Sequence, residues 1–167
     1  GILALEADAE ATSDPFLKRA ISLAVDGTAP AVVRATLESQ VDADGKRAHR
    51  AASVFEAGGA FAPTIGVLGA VLGLIHVMEN LSNPEMLGPG IAVAFVATVY
   101  GVAAANMLLL PMAGKLKIKH EIHDGISNII VEGIAAIQAG LPPSLVEEKL
   151  RGLAGPGGGA KAEESKE

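Results

Sequence analysis

Residues 61–114, FAPTIGVLGAVLGLIHVMENLSNPEMLGPGIAVAFVATVYGVAAANMLLLPMAG, decide the fold. They lie almost wholly in two runs without Asp, Glu, Lys or Arg, namely Ala57–Met78 with 22 residues and Met86–Gly114 with 29. As α-helices these runs would be roughly 33 Å and 43 Å long, whereas the hydrocarbon core of a bilayer is about 30 Å thick. We therefore predict two membrane-spanning helices. A buried helix pair in a soluble protein is the alternative, but such helices rarely continue this far without a charge.

The composition of the whole chain excludes several classes of function. The 167 residues include 13 Lys and Arg against 19 Asp and Glu, so the net charge of −6 argues against a nucleic-acid-binding protein. Hydrophobic residues make up 50% of the chain and aromatic residues only 3%. The chain has no cysteine, so disulfides, thiolate metal sites and cysteine nucleophiles are excluded.

Charge asymmetry predicts the orientation of the two spans. The segment between them carries Glu79 and Glu85 but no Lys or Arg. Basic residues instead flank the pair on its outer sides: Lys46, Arg47, Arg50, Lys115, Lys117 and Lys119. By the positive-inside rule both ends of the hairpin face the cytoplasm, and the turn between the spans faces out. Turn-forming residues in that segment agree with a loop there: Asn83, Pro84, Gly88 and Pro89.

The sequence on either side of the spans predicts further helices. Asp14 and Pro15 form an N-cap and first helical position, and this helix continues to Asp26 before Gly27 ends it. A second helix covers residues 31–41 and is interrupted at residues 42–45.

After the second span, isoleucines at helical spacing predict a helix that continues to about Ala139, where Gly140, Pro142 and Pro143 end it. Ser144 and Glu147 form a capping box that opens a short helix to Leu153. The low-complexity tail from Gly155 is predicted to be disordered.

These signals give an all-α membrane protein with a two-helix transmembrane hairpin and additional cytoplasmic helices. The predicted segments are a cytoplasmic part (1–56), a span (57–78), an extracytoplasmic loop (79–90), a second span (91–114), a second cytoplasmic part (115–154) and a tail (155–167).

Small residues recur at four-residue spacing within both spans. The first span carries Gly66, Gly69 and Gly73, together with Ala70, and the second carries Ala97, Gly101 and Ala105. Glycines in a charge-free membrane span do not form a phosphate-binding loop. Faces of this kind instead let helix backbones approach one another, and they predict packing within a larger helical bundle.

Enzymatic and metal-binding motifs are absent from the sequence. His120 and His123 are three residues apart on a predicted helix, but no third ligand accompanies them, so a solvated pair is the better interpretation. No nucleophile, base and orienting group converge, and we predict a non-enzymatic protein without a cofactor.

At this point the residues resemble a known family. The run Phe61–Lys117 resembles the third and fourth membrane spans of the flagellar stator subunits of the MotA type, within the MotA/TolQ/ExbB proton channels. The segments GILALE (Gly1–Glu6), VEGIAAIQAG (Val131–Gly140) and PPSLVEEKL (Pro142–Leu150) resemble the family's cytoplasmic regions. The family's first two spans are missing, which predicts that the chain is a C-terminal fragment.

The resemblance implies a function and partners. Such subunits lie in the bacterial inner membrane as homo-oligomers around a MotB-like, single-span, peptidoglycan-binding partner, and they use ion flow to drive a rotor switch protein. By the same resemblance, Pro63 and Pro111 match prolines that relay ion-coupled movement, and Glu6 matches an acidic residue that contacts the rotor. A proline inside a helix removes a backbone donor and creates a place where the helix bends.

The coupling ion is predicted to be the proton. Sodium-driven relatives carry threonines where this sequence has Ala70 and Thr98, so one hydroxyl ligand for sodium is missing. Thr98 then either holds a water or bonds to a carbonyl of its own helix. No acidic residue lies in either span, so the carboxylate that carries the proton belongs to the partner.

Two alternatives stay open from the sequence. The first is an energy-transducing channel subunit of the TolQ and ExbB type, and the second is a membrane scaffold hairpin that conducts no ions.

Overall fold

The computed structural model describes residues 5–79, 81–82 and 84–155, and these residues are almost entirely helical. The elements are α1 (Leu5–Ala11), α2 (Pro15–Val25), α3 (Pro30–Glu79), α4 (Pro84–Ala103), a π-helical segment (Ala104–Leu109), α5 (Leu110–Gln138) and α6 (Pro143–Ala154). No strand occurs among the described residues, so the prediction of an all-α fold is confirmed.

Helix α2 begins and ends where the sequence predicts. The Asp14 carboxylate accepts hydrogen bonds from the backbone N–H groups of Phe16 at 2.8 Å and Leu17 at 3.2 Å, which satisfies two donors of the first turn. At the other end Gly27 adopts a left-handed conformation with φ +72°, which suits glycine because it has no Cβ.

Helix α3 is much longer than predicted. It continues for 50 residues without a break, so the interruption predicted at residues 42–45 is wrong. Asp42 accepts a hydrogen bond from Lys46 at 2.6 Å, a favourable pair one turn apart. Gly45 lies against the ring of His120, where a Cβ would be 3.3 Å from Nε2. The weak helix propensity of Asp and Gly, up to about 1 kcal/mol per residue, is overridden by these contacts.

The segment between the two spans is shorter than the predicted loop of residues 79–90. Helix α4 begins at Pro84, so Gly88 and Pro89 are helical and were wrongly assigned to the turn. A proline at the first helical position carries no N–H that needs an acceptor, which explains a start at Pro84. Asn83, which was also assigned to this turn, and residue 80 of the predicted loop lie outside the described residues.

Helix α4, the π-helical segment and α5 follow one another without a break, and α5 ends at Gln138 as the glycine and prolines predict. Gly140 has φ +74°, and the N–H of Leu141 returns to the Ala136 carbonyl at 3.2 Å.

Helix α6 begins one residue before the proposed capping box, with Pro142 as N-cap and no side-chain cap, so the capping role of Ser144 is wrong. Pro143, whose fixed φ already suits a first helical position, sets the start. Of the predicted disordered tail, residues 156–167 lie outside the described residues, as do residues 1–4 of the quoted GILALE segment.

The described residues fall into two compact units. Among the described residues, the first unit comprises residues 5–46 and 120–155, and the second comprises residues 47–79, 81–82 and 84–119. In the first unit, α1 and α2 pack with the start of α3 and the end of α5 around a core of buried aliphatic and aromatic side chains. That core contains Ala9, Phe16, Ala20, Ile21, Ala24, Val33, Leu37, Val131 and Ile134.

An ion network joins three helices of the first unit. Glu132 on α5 accepts one hydrogen bond from Arg34 Nη2 at 2.5 Å and another from Lys149 Nζ at 2.6 Å. The hydrogen bond from Lys149, assisted by the Arg34 charge and opposed by partial burial, holds the pKa of the Glu132 carboxyl below its usual 4.5. A carboxyl with a lowered pKa stabilises the fold fully above its ordinary pKa, and this stabilisation is lost as the pH falls through the folded-state pKa.

We expect Glu132→Gln to destabilise the first unit by about 1 kcal/mol at pH 7, because the pairs are partly exposed. The difference from the unsubstituted protein should shrink as the pH falls below 4.5, since Glu132 is then progressively protonated. Thermal unfolding in detergent across this pH range measures both effects. Glu121→Gln, an exposed carboxyl on the same helix, is the matched control and should leave the midpoint unchanged. An equal difference at all pH values would contradict the assignment.

In the second unit, the long apolar side chains of α3 and α4 point outward. Only 11% of the most apolar 18 residues of α3 is buried, and the same holds for the continuous helical stretch Leu87–Gln138, whereas a core helix of a soluble protein would be mostly buried. Phe61, Phe95, Val99 and Tyr100 are each more than three-fifths exposed. Surfaces this apolar need lipid or partner helices around them, which favours the membrane interpretation over a buried helix pair.

Candidate functional site

The two spans touch backbone to backbone at Gly66 of α3 and Gly101 of α4. A Cβ added at Gly66 would lie 2.9 Å from the Ala97 carbonyl oxygen and 3.1 Å from the Gly101 Cα. A Cβ at Gly101 would lie 2.6 Å from the Ala62 carbonyl oxygen and 2.9 Å from the Gly66 Cα. Neither position has room for any side chain, so this crossing depends on the two glycines.

Beyond Gly66, two further glycines of α3 contact alanine side chains of α4. A Cβ at Gly69 would lie 3.0 Å from the Ala97 Cβ, and one at Gly73 would lie 3.2 Å from the Ala94 Cβ. Ala94 is buried and faces Gly73, but the sequence analysis did not single it out, although it lies three residues before Ala97. Ala105 is also buried, one turn beyond Gly101.

The two prolines lie in different helices of the second unit. Pro63 is half-buried inside α3, close to one turn before Gly66, whereas Pro111 is exposed at the second residue of α5. Because proline has no N–H, the carbonyl group of Gly59, four residues before Pro63, lacks its usual helical donor, and Pro111 likewise donates nothing to the turn before it. Both helices therefore contain a point at which the backbone ladder is incomplete.

A π-helical segment ends two residues before Pro111. Within it the hydrogen bonds span five residues, as in the bond from the Leu110 N–H to the Ala105 carbonyl. The Asn106 side chain donates to the Val102 carbonyl at 3.0 Å. Short π segments in α-helices are uncommon and often lie at functional sites. This segment was not predicted from the sequence, in which Pro111 is the local feature that disfavours a regular α-helix here.

Thr98 and Ala70 lie beside the glycine crossing. The Thr98 Cα is 3.3 Å from the position of a Cβ at Gly66, and its hydroxyl donates to the Ala94 carbonyl of its own helix at 3.4 Å. Of the two predicted roles for this hydroxyl, the structure therefore contains the bond to its own helix. Ala70 is half-buried one turn after Gly66 on the same face of α3, and it offers no oxygen ligand.

Other candidates lie in the first unit. Glu6 is exposed on α1, so its carboxylate is accessible to a partner. His120 lies against Gly45, and His123 is exposed and lines a shallow cleft with Asp14, Arg19 and Asp44. Within the described part of the chain, no group of three or more His, Cys, Asp or Glu side chains could hold a metal ion.

Sequence reasoning also missed a cluster at the start of the first span. Leu109 and Leu110 lie over Gly58 and Gly59, where an added Cβ would be 3.4 Å from Leu109 and 2.6 Å from Leu110. The adjacent glycines are visible in the sequence, but nothing in it identifies their partners.

Comparisons with known proteins agree with this geometry. The family model of the MotA/TolQ/ExbB proton channel family matches residues 8–126. The uncharacterized protein YtxD and Motility protein A, both of Bacillus subtilis (strain 168), are each 39% identical over 150 residues, covering 90% of this chain and 55% and 56% of their own lengths. A structure of the flagellar MotAB stator complex from Bacillus subtilis matches with a TM-score of 0.86 and 37% identity over 96% of this chain and 63% of that chain. The chain thus spans between half and two thirds of the length of these relatives.

Proposed function

Since the chain belongs to the MotA/TolQ/ExbB proton channel family, we propose that it carries the third and fourth membrane spans of a flagellar stator subunit. With a MotB-like single-span partner, this subunit forms a proton-conducting channel that converts ion flow into torque on the rotor. The agreement with Motility protein A over nine tenths of the chain carries the proposal. The match to a flagellar MotAB stator complex supports it.

The glycine crossing supports the same function. Backbone contact between α3 and α4 makes a compact wall whose outer surface is apolar, and such a wall suits a subunit packed beside other helices. Several copies around a partner dimer would cover that surface. The proposal puts both ends of the hairpin on the cytoplasmic side of the bacterial inner membrane, where Glu6 would meet the rotor switch protein. The basic residues that flank the two spans support this orientation.

Proton transfer belongs to the partner in this proposal. Neither span contains an acidic residue, so a carboxylate of the partner accepts the proton, and this chain responds by moving the helices that bear Pro63 and Pro111. The role is therefore ion coupling and not catalysis of a chemical reaction.

We expect motility that depends on this protein to follow the proton gradient. Ala70 supplies no ligand oxygen where sodium-driven relatives carry a threonine, so a sodium ion there would lack one of the oxygen ligands that replace its water. A protonophore should stop swimming, and replacing sodium with potassium should leave swimming speed unchanged. Speed that falls with sodium withdrawal would overturn the proton assignment.

Restoration of motility tests the function itself. The gene product that carries this chain, expressed with its single-span partner in a strain lacking its stator genes, should restore swimming. Restored import through an envelope receptor, without swimming, would instead support the TolQ and ExbB type of subunit. The absence of any proton flux in reconstituted vesicles that contain the partner would support the scaffold hairpin.

A further inference from the structure

An ion pair joins α3 to α5 in the second unit, just beyond the charge-free part of each helix. Lys117 Nζ donates to Glu56 Oε1 at 2.5 Å, although the two residues are 61 positions apart. Glu56 precedes Pro63 by seven residues, and Lys117 follows Pro111 by six. Glu56 therefore lies roughly 10 Å along its helix from Pro63, and Lys117 lies at nearly the same distance along its helix from Pro111.

Leucine packing covers the part of α3 between Glu56 and Pro63. Leu109 and Leu110, at the junction of the π-helical segment and α5, occupy the notch left by Gly58 and Gly59 of α3. Gly59 is buried beneath Leu110. The ion pair and the leucines thus hold α3 to the other helix on the side of Pro63 away from the glycine crossing. Along that other helix the leucines precede Pro111 and Lys117 follows it.

The exposure of the pair decides what it can contribute. The side chains of Lys117 and Glu56 are 42% and 41% exposed, and ion pairs in such positions add little to the free energy of folding. What the pair supplies is a preference for one relative position of the two helix segments, because opposite charges attract there whereas like charges at the same positions would repel.

We propose that Glu56 and Lys117 are positioning residues of the stator cycle. They keep α3 and α5 together while the helices bend at Pro63 and Pro111. Movement that begins in the apolar spans then shifts residue 56 and residue 117 together, as parts of one rigid body. The proposal rests on the function proposed above. It requires the pair to stay closed throughout the cycle and to work with either polarity.

Charge reversal tests the polarity requirement. In the complete gene product with its partner, Glu56→Lys and Lys117→Glu should each lower stall torque at least about fivefold, with proton flux and membrane level unchanged. The exchanged double variant should recover most of the torque. Lys115→Glu, the same charge change two residues away, is the matched control and should keep normal torque. Equal loss of flux and torque, or no recovery in the exchanged pair, would overturn the proposal.

Cross-linking tests whether the pair must stay closed. These 167 residues contain no cysteine, so Glu56→Cys with Lys117→Cys places one thiol at each end of the ion pair and none elsewhere among them. Any cysteine outside them is first replaced by serine. This double variant should lose torque, a short bifunctional maleimide should restore it, and a monofunctional maleimide should not. Torque that is normal before cross-linking, or absent after it, would refute a permanently closed clamp.

If the single charge-reversal variants fail to reach the membrane, the cross-linking experiment with the cysteine pair tests the proposal instead. If the unsubstituted protein does not support swimming, the proposed function fails. If it does and every variant swims equally well, only the role of this pair fails.

Discussion

Gly101→Ala is expected to remove most of the assembled protein from the membrane. The new Cβ would lie 2.6 Å from the Ala62 carbonyl oxygen and 2.9 Å from the Gly66 Cα, and both of these are backbone atoms that no side-chain rotation can move. The helices would have to separate along the whole crossing, which also weakens the contacts at Gly69 and Gly73. We expect a loss of about 3 kcal/mol or more, at the upper end of the range for overpacked cores.

Gly88→Ala is the matched control for this substitution. Gly88 lies in the same helix, and a Cβ there would meet nothing within 4 Å. Alanine is the better helix former by about 1 kcal/mol, so this variant should be at least as stable as the unsubstituted protein. The thermal stability of each variant in detergent and its amount in the membrane fraction measure the difference. If the two variants behaved alike, the backbone contact between α3 and α4 would be refuted.

The same contact shows what the sequence could predict. Four-residue spacing identified Gly66 and Gly101 as packing positions, because small residues at that spacing lie on one helix face. The spacing could not say which glycine faces which partner, since that depends on how the two helices cross. The pairing of Gly73 with Ala94 became visible only in the structure.

Local signals were reliable where the local chemistry decides the conformation, and they failed where distant contacts decide it. Asp14 and Gly27 act within one turn of chain, and the predicted ends of α2 agree with the structure. The predicted break at residues 42–45 failed because Gly45 packs against His120, which is far away in the sequence. The pair between Glu56 and Lys117 was out of reach for the same reason.

Replacing both Pro63 and Pro111 with alanine should abolish swimming while the protein still assembles with its partner. Each alanine restores a backbone N–H donor, at position 63 to the Gly59 carbonyl and at position 111 to the turn before it, and alanine is favoured over proline inside a helix by about 3 kcal/mol. The substituted helices should therefore be stiffer and no less stable. Co-purification with the partner measures assembly, and the torque of tethered cells measures function.

Pro89→Ala makes the same backbone change in α4, where no bending is proposed, and it should leave swimming intact. Gly101→Ala and the double proline substitution thus separate the effect of helix packing from the effect of helix bending. The Gly101→Ala variant should lose both stability and torque, because its helices no longer fit together. The double alanine variant at Pro63 and Pro111 should lose torque but not stability, because its helices still fit together but no longer bend. If swimming survives the double proline substitution, bending at Pro63 and Pro111 does not contribute to the coupling of proton flow to torque.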